Sequence, residues 1–91
     1  MNNKIIITIS GLDKVGIVAA ITGVLARLNV NIEDIKQTIM QDHFVMVMLC
    51  GIDSANKTFK EIKEEVTLEG EKLGMEVWIQ KKEIFDKMHN I

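Results

Sequence analysis

Nine consecutive residues, Phe44 to Ile52, carry no polar side chain. Such a run is far too short to cross a bilayer, which takes about 20 residues as a helix. It reads instead as a strand buried on both faces. A strand of that kind belongs in the middle of a sheet. The rest of the chain must then supply strands on both sides of it and cover for both faces.

Three further stretches have strand character. Lys4 to Ser10 is rich in β-branched residues, with Ile5, Ile7 and Ile9 on one face and Ile6 and Thr8 on the other. Between Asn31 and Met40, Ile35, Gln37 and Ile39 alternate with Asp34, Lys36 and Thr38, the period of a strand with one wetter face. Gln41-Asp42-His43 is a polar break of hairpin length before the apolar run. Met75 to Gln80 puts Met75, Val77 and Ile79 on one face and Trp78 on the other.

Helical periodicity fills the gaps. Ile17, Val18, Ile21, Val24, Leu25 and Leu28 form one stripe over residues 15–28, a helix about 21 Å long. Asp13 stands where its N-cap is expected, and Asn29 where a left-handed stop is expected. Ala19, Ala20 and Gly23 are small enough to let this helix lie close to a neighbour. A second helix is expected from a cap at Asp53 or Ser54 to about Leu73, with Phe59, Ile62, Val66 and Leu73 inward and Gly74 ending it. Its lysines and glutamates make a solvated face. Lys81 to Ile91 reads as a short amphipathic helix whose stripe is Ile84, Phe85, Met88 and Ile91.

The order β-α-β-β-α-β is the α+β, ferredoxin-like plan: a four-stranded antiparallel sheet with two helices on one face, here with a short C-terminal helix added. Right-handed crossovers put the first and third strands in the centre. The 91 residues are expected to form a single domain over 1–91, with a core at 4–80 and a helical tail at 82–91. The other face would expose Ile6, Trp78 and half of the third strand. The tail helix, a second copy of the chain, or both must cover it, so a homodimer or higher homo-oligomer is expected.

Several function classes fall away. The net charge is −2 and the basic residues are scattered, so no phosphate-binding footprint points to nucleic acid. Nothing suggests a signal peptide or a membrane partner, and a cytoplasmic protein is expected. Cys50 is the only cysteine and lies among apolar residues, where it reads as a small buried hydrophobe. His43 and His89 have no metal-type spacing, so no metal or other cofactor is expected. No nucleophile–base pattern or phosphate loop points to an enzyme.

The stretch Gly11-Leu12-Asp13-Lys14-Val15-Gly16-Ile17-Val18 joins the first strand to the first helix. A strand end, a flexible turn and a helix N-terminus together suit a small anionic or zwitterionic ligand. Taken with Val30-Asn31-Ile32 at the start of the second strand, this loop resembles that of ACT domains, the small ligand-sensing modules attached to many enzymes of amino-acid metabolism. The resemblance covers residues 4–80. It is nearest to the stand-alone small ACT proteins of bacteria and archaea, and similar to the ACT modules of formyltetrahydrofolate deformylase and the glycine-cleavage repressor. It implies a non-catalytic regulatory module that binds a small-molecule effector, an amino acid, at a homodimer interface and signals to a metabolic enzyme or regulator. It further implies that Asp13, Val15, Gly16, Ile17 and Val18 contact the ligand, together with Asn31 and Ile32. Val15 stands where enzyme-fused members often carry proline. An adaptor that keeps the fold without a ligand is the alternative reading.

Overall fold

The computed structural model describes residues 3–89. Strand β1 spans Lys4–Leu12, helix α1 Ile17–Arg27, strand β2 Asn31–Met40 and strand β3 His43–Gly51. Helix α2 follows over Phe59–Lys72, then strand β4 over Glu76–Lys81 and helix α3 over Lys82–His89. The strands form one antiparallel sheet in the order β2-β3-β1-β4. The expected plan holds, with β1 and β3 central.

The core lies between the sheet and the two helices α1 and α2. Ile5, Ile7 and Ile9 of β1 and Met46, Met48 and Cys50 of β3 are fully buried there, against Ile21 and Leu25 of α1 and Ile62 and Val66 of α2. The β3 run is not buried alike on both faces. Phe44, Met46, Met48 and Cys50 are buried, whereas Val45, Val47 and Leu49 on the outer face are half-buried. The reason is that α3 covers only part of that face. It packs on β1 and β4. There Gln80 Nε2 donates to Met88 Sδ at 3.3 Å, and Ile6 is buried. Trp78 stays 52% exposed. Ile91, the end of the expected tail stripe, lies outside the described residues.

Both helix starts differ from expectation. The N-cap of α1 is Gly16, not Asp13, because the chain turns through a left-handed φ of 90° at Gly16 before the helix begins. Helix α2 is capped by Thr58 rather than by Asp53 or Ser54. The Thr58 side chain accepts from the Glu61 N–H, and the Glu61 carboxylate accepts from the Thr58 N–H, a complete capping box. Asp53 to Lys57 instead form a loop that closes the far end of α1. Asn56 N–H donates to Leu28 O at 3.0 Å and Asn56 Nδ2 to Arg27 O at 3.1 Å. Asn29 takes the expected left-handed conformation, at φ 58°.

Helix α1 touches β2 only in part, with Ile32 packed against the core, and nine of the strand's ten residues are exposed. Ile35, Ile39 and Met40 remain 39%, 54% and 69% exposed, so this edge strand is bare on both faces rather than on one. The outer side of α1 is equally bare. Ala19, Gly23 and Ala26 face solvent, and a Cβ built on Gly23 would meet no atom within 4 Å. Gly23 therefore has no close neighbour on this side of the helix within the chain.

Candidate functional site

The end of the sheet where β1 runs into α1 is built by one loop and one hairpin. Leu12 pairs with His43, and His43 with Met40, so the loop after β1 lies at the same end as the β2–β3 turn. That turn is only Gln41 and Asp42, with Gln41 at φ 58°. The Asp13 N–H donates to Asp42 O at 2.8 Å and fastens loop to hairpin.

Helix α1 begins with no side-chain cap. Gly16 O accepts the Ala20 N–H at 2.9 Å, the first helical bond, and the first-turn N–H groups have no intrahelical partner. They carry the positive end of the helix dipole. Nothing lies within 4 Å of a Cβ built on Gly16. Its glycine is thus required by backbone conformation, not by packing against the sheet. Relieved of a capping role, the Asp13 side chain is exposed and makes no hydrogen bond among the described residues. The Lys14 ammonium lies toward Gly74, 3.4 Å from where a Cβ would stand, beside the carbonyl end of α2.

A cavity of about 510 Å³ opens at this point. Asp13, Gly16, Ile17 and Val18, four of the seven residues expected at the site, line it. Val15 belongs to the same loop but is fully exposed to solvent. Asn31 and Ile32 are not brought there. Asn31 pairs with Gly51, at the opposite end of β2. It lies nine positions from Met40, about 30 Å along a strand. The β2 contribution to the cavity comes from Gln37 and Ile39, with Phe44 of β3 directly across from Ile39. These residues were missed as site residues. Their signal was present in the Ile35-Gln37-Ile39 alternation, which puts one carboxamide in an apolar row.

A larger cavity, of about 750 Å³, lies at the other end of the sheet between Phe59, Ile52 and the β4–α3 junction. Four of its five charged lining residues already have partners. Lys4 is paired with Glu33, Lys82 with Asp86, and Lys81 lies over the Phe59 ring at 5.5 Å from its centroid. On the outer face, Ser10 Oγ and His43 Nε2 are 2.8 Å apart, a diagonal pair that ties β1 to β3. Nucleophilic use of such a pair needs a third group to orient the base. Among the described residues no carboxylate bonds to His43. No group of three or more potential metal ligands occurs among the described residues. No helix among them is long and apolar enough to cross a membrane.

Comparison with known proteins agrees with the fold. The ACT domain family model matches residues 3–80. A UPF0237 protein of Listeria innocua is 46% identical over 88 residues, which cover 97% of this chain and 99% of that protein. The solved structure of an ACT domain protein from Streptococcus pneumoniae superimposes with a TM-score of 0.80 at 35% identity, over 94% of this chain and 97% of that one. A formyltetrahydrofolate deformylase from Pseudomonas syringae shares the fold over 87% of this chain and 27% of its own, with a TM-score of 0.80 at 23% identity. The chain belongs to the ACT domain family.

Proposed function

We propose that this ACT domain chain is a non-catalytic regulatory module that binds an amino acid at an interface between two copies of itself. The observation that carries the reading is the 510 Å³ cavity at the β1–α1 loop, where a free carboxylate, Asp13, stands beside an uncapped helix N-terminus. An amino acid has a carboxylate suited to the helix N–H groups and an ammonium suited to Asp13. Gly16 lets a ligand approach the backbone closely.

The uncovered β2 edge supports the dimer. Its free N–H and C=O groups and its exposed Ile35, Ile39 and Met40 invite a second sheet. Two β2 strands paired antiparallel about a twofold axis set Asn31 of one protomer beside Met40 of the other. The partner's Asn31 and Ile32 then reach the cavity from across the interface. In this arrangement the seven residues Asp13, Val15, Gly16, Ile17, Val18, Asn31 and Ile32 surround one ligand, five from one protomer and two from its partner. Binding that favours this assembly over another would pass the signal to a metabolic enzyme or regulator.

The test is a thermal-shift and calorimetric screen of the twenty amino acids, with sedimentation at micromolar protein. Binding of at least one amino acid more tightly than about 1 mM, by a dimer, is the expected result. No such binding overturns the effector reading. The half-exposed Trp78, Ile84 and Met88 favour a second reading, a protein–protein adaptor. Deleting residues 82–91 separates the two: an adaptor loses its partners, whereas a sensor keeps its ligand.

A further inference from the structure

We infer that the loop cavity selects amino acids with an apolar side chain, and that Ile39 is the residue that sets this preference. The inference rests on the amino-acid reading above and goes on to the class of side chain.

The argument starts from how the lining divides. The polar elements, Asp13 and the start of α1, lie together on the loop side. Facing them, the Ile39–Phe44 cross-strand pair forms an apolar wall that Val18 extends from the helix. Phe44 is buried and Val18 half-buried, so both are fixed in place, while Ile39 is 54% exposed and presents free apolar surface. A ligand held by its charged groups at the loop points its side chain at this wall. The one polar side chain contributed by β2 is Gln37, two residues and about 7 Å from Ile39 along the strand. Lys14 also lines the cavity, but its ammonium extends toward Gly74 and the end of α2, neither of which lines it. Within one chain, an acidic or amide side chain would therefore give up its water at Ile39 and Phe44 without gaining a side-chain partner at that wall. An aliphatic one covers Ile39 and gains by burial.

The experiment is calorimetry of the wild-type protein with the straight-chain series alanine, 2-aminobutyrate and norvaline, and with leucine, asparagine and glutamate. Affinity is expected to rise about fourfold for each added methylene. Leucine is expected to bind about tenfold or more tightly than asparagine, which is close to it in size. Ile39→Ser should cost leucine on the order of tenfold more than it costs alanine. Its side chain is exposed on an edge strand, so circular dichroism checks that the fold survives and sedimentation that the dimer does. Asparagine or glutamate binding more tightly than leucine overturns the inference while the amino-acid reading stands. Leucine affinity unchanged in Ile39→Ser also overturns it. No binding by any amino acid overturns both readings together. The wild-type series decides the selectivity without any variant.

Discussion

Gly16 shows how one residue can serve shape and site together. Its φ of 90° costs a residue with a Cβ roughly 1–2 kcal/mol, although no neighbouring atom would clash. Gly16→Ala should therefore lower the unfolding free energy from urea titration by about that amount, seen as a lower midpoint, and weaken amino-acid binding as well. An unchanged midpoint would show that the left-handed turn is not required. Gly51 has a different task. A Cβ there would stand 2.7 Å from a Glu33 carboxylate oxygen, so the bare backbone of β3 lets Glu33 pass across it to pair with Lys4 on β1. Cys50, the neighbour of Gly51, is chemically quiet. Burial first, and the charge of Glu33 second, push its thiol up to about 12. The folded chain holds this proton where the unfolded chain releases it, so stability should fall as pH rises from 9.0 toward 12. Alkylation at pH 8 should be slow in buffer and rapid in denaturant. Equal rates would contradict a buried thiol.

At the scale of elements, α2 is fixed at both its start and its inner face. Thr58→Ala removes the hydroxyl half of the capping box and should cost about 1 kcal/mol at pH 7. Hydrogen bonds from the Thr58 backbone and side chain hold the Glu61 carboxyl below its usual range. A carboxyl with a lowered folded pKa stabilises above its unfolded value, and that help is lost as pH falls through the folded one. The gap between wild type and Thr58→Ala should accordingly narrow below pH 4.5, the ordinary glutamate value, when urea midpoints are compared at pH 7 and pH 3. Further along, Gly70 meets β4. A Cβ on Gly70 would lie 2.3 Å from Val77 Cγ2, which forces α2 away from the sheet. Gly70→Ala should destabilise by about 1–3 kcal/mol, and Val77→Ala in the same chain should recover part of it. Simple additivity of the two changes would rule out that contact as the cause.

For the whole molecule, the sheet leaves its β2 edge and the adjoining small-residue side of α1 uncovered. An edge strand of ten residues with exposed isoleucines is a site for pairing with another chain. The charged side chains of Glu33, Asp34 and Lys36 and the irregular register between Ile32 and Asp34 work against open-ended growth along this edge. Sedimentation at micromolar concentration should give a dimer. Ile35→Lys, which places a charge on the exposed edge away from the loop cavity, should give a folded monomer. A wild-type monomer would overturn the dimer, and an Ile35→Lys dimer would move the interface elsewhere.

Local patterns in the sequence were enough to determine the order of elements, the central place of β1 and β3, and the stop at Asn29. Periods of two and of 3.6 residues report which side of an element meets apolar neighbours, and that depends on nearby residues alone. The Thr58–Glu61 capping box was written there too, but the earlier Asp53 and Ser54 offered the same chemistry, and only the loop's bonds to the end of α1 chose between them. The site needed long-range register. Antiparallel pairing carries the far end of β2, not Asn31, to the β1–α1 loop, and so brings Gln37 and Ile39 beside Asp13 in one protomer. The half-cover of β3 and the bare edge of β2 have the same origin. How far two helices and a short tail reach across four strands is settled by packing in three dimensions, which no local period encodes.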